Sequence, residues 1–229
     1  MIDSSQPATP KSGTPFVVSL SAALVAACRY IPLPFIDDYI EKKVLRQMTH
    51  RILARRGMSL PEEEMELLYH EPSSGVGGFV KGTTKKLLFK PVKKLLRPLF
   101  FVFSVRGTAR KMGETILLGR AIDLLAKQDL PRPSTLRHFR EAYEEAMAEA
   151  DVSLTDHFEG LVDQQKNHLK NMSTRVKMLL DRDEEPTKNP PADLVHEGAE
   201  VEQRLRRPEV EQDLERFDEI FQEKLKEAA

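Results

Sequence analysis

Apolar side chains return every third or fourth residue in one stretch after another, and that period decides the class of fold open to this chain. Ile36, Ile40, Val44, Met48 and Ile52 recur every four residues. Lys42, Lys43, Arg46, Arg51 and Arg55 are read as lying elsewhere around the same helix, which makes it amphipathic. Leu136, Phe139, Tyr143 and Met147 repeat the pattern behind a capping Ser134. Phe158, Leu161, Gln165, Leu169, Met172, Val176 and Leu179 read as one face of a further helix. Met112, Ile116, Ile122 and Leu125 give Arg106 to Leu125 a buried face, and Val210, Leu214, Phe217, Phe221 and Leu225 form a last heptad-like stripe. The expected fold is all-α: a multi-helix domain built from helical hairpins, with an acidic helical extension at its C-terminal end. A hydrophobic content of 40% over 229 residues is enough for one sizeable core or two small ones.

Punctuation residues divide the chain further. Residues 1–15 are polar and rich in Ser, Pro and Thr, without the charged start and cleavage site of a secretory signal, and read as a disordered leader. Residues 16–180 read as the helical domain, with a basic and apolar segment at 81–111. Arg55, Arg56 and Gly57 suit a helix end, since cations complement the last turn and glycine accepts the left-handed conformation beyond it. Ser59 followed by Glu62 offers a capping box for a short helix reaching about His70. The glycines and serines between Pro72 and Gly78 mark a loop, and Pro91 and Pro98 should kink the helical run that follows. Gly107, Gly113 and Gly119 recur every six residues and allow either close helix approach or ordinary packing. Residues 181–208 read as an acidic, proline-rich linker, and 209–229 as an amphipathic helix too short to be stable alone.

One run is uniformly apolar. Phe16 to Cys28 carries no charge before Arg29, Pro32 and Pro34 interrupt it. It falls short of the roughly 20 residues a spanning helix needs, which leaves a buried core helix or an interfacial or re-entrant segment. The single cysteine, Cys28, lies inside that run, where it serves as a small packed side chain.

Charge is segregated most sharply in the middle of the chain. Between Pro72 and Gly113 stand ten Lys and Arg and no Asp or Glu, in a protein whose formal net charge is only -1. Lys85, Lys86, Lys90, Lys93, Lys94 and Arg97 are interleaved there with Leu95, Leu99, Phe100 and Phe101. Cations beside exposed apolar side chains suit an anionic lipid surface: the charges attract headgroups and the apolar groups enter the interfacial layer. Nucleic acid also attracts cations, but Phe89, Phe100, Phe101 and Phe103 cluster in an apolar run unlike any nucleic-acid module, which makes it the less favoured anion. From Asp181 to the end sixteen acids face eight Lys and Arg, so this tail either masks the basic segment or is simply solvated.

No motif for catalysis is complete. In Gly77-Gly78-Phe79-Val80-Lys81-Gly82-Thr83-Thr84, Thr83 holds the position where a phosphate-binding loop needs lysine, so nucleotide hydrolysis is rejected. His50, His70, His138, His157, His168 and His196 show no metal-ligand spacing. Glu141, Glu144 and Glu145 read as the wet face of a helix, and no Gly-x-Ser-x-Gly elbow occurs. The expectation is a non-enzymatic protein without metal or cofactor.

The run from Ala22 through Pro32, Pro34, Phe35, Asp37 and Asp38, followed by the Met48 helix closing at Gly57, resembles the YcjF-like family over residues 20–57. The resemblance implies a bacterial helical protein, often membrane-associated and found beside or fused to small GTPases. The expected function is attachment to the cytoplasmic face of the inner membrane through the basic segment. The alternative is a soluble helical adaptor that binds a protein partner, a small GTPase by the resemblance alone.

Overall fold

The uncharged run from Phe16 to Cys28 is the axis on which the rest of the protein is built. In a computed structural model, which describes residues 13–30, 36–69, 97–128, 133–150, 154–181, 190 and 192–227, it forms α1 (Thr14–Cys28). Every side chain from Phe16 to Cys28 is buried. A helix apolar all round needs neighbours on every side, and α1 has four: α2 (Ile36–Arg55), α4 (Arg97–Ala126), α7 (Lys166–Asp181) and α8 (Ala192–Leu205). The core-helix reading therefore holds for this run. α3 (Glu62–Tyr69), α5 (Pro133–Ala150), α6 (Leu154–Gln164) and α9 (Pro208–Glu227) complete the assembly, and every regular element among the described residues is an α-helix.

The expected stripes supply the cover. Ile40, Val44, Met48 and Ile52 of α2 are buried, as are Met112, Ile116, Ile122 and Leu125 of α4. Leu136 of α5 is buried, and Phe139 and Tyr143 of the same helix meet Phe221 and Phe217 of α9, Phe139 and Phe221 edge to face at 5.6 Å and Tyr143 and Phe217 at 6.0 Å between centroids. At the end of α2, Gly57 takes φ +70°, Met58 N–H donates to Leu53 O at 3.0 Å and Gly57 N–H to Ala54 O at 3.1 Å. That is a Schellman closure, with Leu53 and Met58 providing its apolar contact.

Several boundaries differ from expectation. α4 begins at Arg97, ahead of Arg106. The helix expected from Phe158 to Leu179 divides at Gln165, so that α6 packs on α4 while α7 packs on α1, one stripe serving two partners. α3 begins after Pro61, whose carbonyl accepts from Met65 N–H at 2.9 Å, so Ser59 lies outside the cap position. Close approach replaces ordinary packing at Gly113, against Leu154, and at Gly119, against Val18, while Gly107 faces open space.

The stretch expected as a linker, 181–208, is corrected most. Residues 192–205 form α8, which lies along α1 with Leu194, Glu197, Gly198 and Val201 buried. Only two of those four inward positions are aliphatic, so the stripe was hidden by a glutamate and a glycine. α8 and α9 thus belong to the core and are no appended extension. Arg51 and Arg55 also move: they continue the inward stripe of α2 at three- and seven-residue steps from Met48, and both are half-buried.

Candidate functional site

Most residues singled out for membrane or partner binding fall where the structure is silent. Lys85, Lys86, Lys90, Lys93, Lys94 and Leu95 lie outside the described residues, as do Pro32, Pro34 and Phe35. Arg97, Leu99, Phe100 and Phe101 occupy the first turns of α4, and Asp37 and Asp38 the first turn of α2; only their backbone is described. The C-terminal cations of the basic segment are described fully, and each meets a carboxylate. Arg106 lies 3.4 Å from Asp156, Arg110 2.8 Å from Glu114, and Lys111 3.0 Å from Glu41.

Lys111 stands in a cleft of about 710 Å³ between α2, α3, α4 and α5. Leu45, Leu118 and Met147 provide its aliphatic surface, and Tyr39, Tyr69 and Tyr143 its aromatic surface. The amphipathic period brings these together: each is at the margin of a buried stripe, where one side meets the core and the other meets solvent. Tyr39 is 65% exposed, an unusual setting for a large ring. None of the three tyrosines stood out in sequence as a site, and the one available signal was an aromatic at the solvent edge of α2.

The polar groups of the cleft satisfy one another. Lys111 Nζ donates to Glu41 Oε1 at 3.0 Å and approaches Glu114 Oε2 at 3.4 Å. Burial lowers the affinity of Lys111 for its proton, but Glu41 and Glu114 outweigh burial and the net shift is upward. It therefore stays an ammonium at neutral pH, a binding group and not a base. Arg140 donates to Glu144 Oε1 at 2.9 Å and lies 5.2 Å over the Tyr143 ring. Tyr143 Oη donates to Glu114 O at 3.2 Å. Tyr69 Oη donates to Glu62 Oε1 at 3.1 Å, and burial followed by that carboxylate pushes its phenol up to about 12.

Among the described residues no three His, Cys, Asp or Glu converge as metal ligands, and no helix is long and apolar enough to cross a membrane. Comparison with models of protein families, with curated proteins and with solved structures returns no match to the chain. The cleft sets tyrosines, an arginine and a methionine, which protein interfaces favour at their centres, beside lysines and glutamates, which they disfavour there.

Proposed function

We propose that this is a non-enzymatic helical protein that attaches to the surface of an anionic membrane through Lys85, Lys86, Lys90, Lys93, Lys94 and Arg97, with Leu95, Leu99, Phe100 and Phe101 entering the interfacial layer. The observation that carries the reading is the uninterrupted absence of acids between Glu71 and Glu114. Outside the run from Lys85 to Arg97 cations and carboxylates close on each other: Arg46 with Glu62, Arg56 with Asp123, Lys111 with Glu41 and Arg120 with Asp218. A cation without an acid near it in sequence keeps its field for an outside anion.

Each Lys or Arg near an anionic surface contributes roughly 1 kcal/mol. Replacing Lys85, Lys86 and Lys90 by Glu should therefore weaken binding to anionic vesicles by at least a hundredfold, with no effect on neutral ones, in a sedimentation assay at low salt. Undiminished binding by a folded variant would exclude the mechanism. Truncation at Leu180 is no substitute for this test, because it strips α8 from α1 and α9 from α5.

A second reading, a helical adaptor for a protein partner, draws on the tyrosine-lined cleft and on the exposure of Tyr39. Under it, Tyr39→Ala would weaken partner binding while vesicle binding stays unchanged. A small GTPase as that partner is an implication of the YcjF-like resemblance.

A further inference from the structure

Each cation that lines the cleft is taken by a carboxylate: Lys42 by Glu66, Lys111 by Glu41 and Arg140 by Glu144. What stays open to an occupant is the aliphatic surface of Leu45, Leu118 and Met147 and the ring of Tyr39 at the mouth. Unbalanced charge begins at the rim. α3 carries four glutamates and no Lys or Arg, α5 carries four more, and the two helices pack on each other beside the cleft. Half of these carboxylates close on a cation: Glu62 on Arg46, Glu66 on Lys42, Glu144 on Arg140 and Glu149 on Lys224. Glu63, Glu64, Glu141 and Glu145 form no ion pair among the described residues, and Glu63, Glu141 and Glu145 are exposed. Helical spacing puts them at the rim. Glu141 stands three residues from Glu144 and four from Glu145, and Glu63 three residues from Glu66, whose partner Lys42 is part of the cleft wall.

We infer that the cleft docks a basic amphipathic helix of a partner protein. α2 packs on α3 and α4, and α5 on α3 and α9, which leaves the space between α2 and α5 open for an added helix. The apolar face of such a helix lays its side chains on Leu45, Leu118, Met147 and Tyr39, where methionine adapts to the shape it meets. Lys or Arg on its flanks reaches Glu63, Glu141 and Glu145, and because these carboxylates hold no internal cation, no ion pair has to break first. The same rim repels the phosphates of an anionic lipid surface or a nucleic acid, so the complementary occupant is a protein segment. This inference rests on the adaptor reading of the cleft, names the chemistry of its partner and is independent of the membrane reading.

The test is fluorescence anisotropy of labelled model peptides titrated with the full chain. One peptide sets leucine and lysine at helical period, a second replaces every lysine by glutamate, and a third scrambles the first so that no apolar face forms. The leucine–lysine peptide should bind saturably and more weakly as salt rises, and roughly tenfold or more tighter than either of the others. Tyr39→Ala and the double variant Glu141→Lys/Glu145→Lys should each weaken it by about tenfold; all three positions are exposed, and circular dichroism checks that the variants fold. Glu215→Lys/Glu219→Lys, the same reversal on the outer face of α9, should bind as the parent does and so exclude a general charge effect. Undiminished binding by both cleft variants would overturn the assignment. Preference for the leucine–glutamate peptide, lost in Tyr39→Ala, would overturn the basic chemistry and leave the adaptor reading standing, whereas failure of every peptide to bind would remove the docking site and that reading together. Self-association of the chain in analytical ultracentrifugation, abolished by Glu141→Lys/Glu145→Lys, would make a second copy the occupant and overturn a separate partner.

Discussion

Gly119 of α4 rests directly against Val18 of α1: a Cβ added to the glycine would come within 2.6 Å of Val18 Cγ2 and 2.8 Å of Cγ1. The two helices approach closely because one of them has no side chain there.

Alanine at Gly119 therefore sets two effects against each other. Replacing a mid-helix glycine gains about 1 kcal/mol of helix propensity. Overpacking a closed core costs about 1–3 kcal/mol, and Val18, branched at Cβ, has little freedom to move. The clash should win, with a net loss of up to about 2 kcal/mol in chemical denaturation. Gly107→Ala on the same helix meets nothing within 4 Å and should raise stability by about 0.5–1 kcal/mol. Opposite signs from two identical substitutions would confirm how α4 meets α1; a stabilising Gly119→Ala would contradict it.

Phe221 tests whether the acidic C-terminal helix is structural. It is fully buried, edge to face with Phe139 and stacked on Phe217. Phe221→Ala should cost about 3–5 kcal/mol, whereas Ile220→Ala, at a partly buried position beside it, should cost about 1 kcal/mol. If circular dichroism and denaturation midpoints were unchanged by Phe221→Ala, α9 would be a peripheral appendage after all.

These contacts show what could be read from the residues alone. Stripes of consistently large apolar side chains, such as Val210 to Leu225 or Ile40 to Ile52, announced both their helices and their buried faces. α8 escaped because Glu197 and Gly198 fill inward positions that pattern reading assigns to aliphatic residues. Glu197 is stabilised there by His168 at 3.1 Å, and Gly198 by the closeness of Leu20. Both reasons are tertiary and leave no local trace. The cleft was illegible for a similar cause: Tyr39, Tyr69, Lys111 and Tyr143 come from four helices, and only packing brings them together. Arg51 and Arg55 were placed on the outer face because cations ordinarily stay wet.

Tyr69 gives the fold an alkaline limit. Its phenol is pushed up from 10.0 to about 12 by burial and by Glu62. A group whose folded pKa exceeds its unfolded value stabilises the protein fully below the unfolded value and loses that contribution as pH rises through the folded one. Stability should therefore decline between about pH 10 and pH 12, and the decline should be reduced in Tyr69→Phe. Ultraviolet titration checks the same point, since one phenolate should appear near pH 12 in the parent and be missing from the variant.

Lys111 links α2 to α4 by bridging Glu41 and Glu114, and removing it leaves two partly buried carboxylates facing each other without their shared cation. Lys111→Met should cost about 1–3 kcal/mol, the penalty for stranding polar groups that are shielded from water. Adding Glu41→Gln should restore part of that loss, because the repulsion and the unpaired charge are removed together, so the double-mutant cycle should show coupling. The sign of the pH effect follows from the raised lysine pKa. The bridge contributes fully below the ordinary value of 10.5 and fades as pH climbs beyond it, so parent and Lys111→Met should converge in stability at strongly alkaline pH. Additive single-variant effects, or a gap independent of pH, would mean that Lys111 acts through its aliphatic stem and not through its charge.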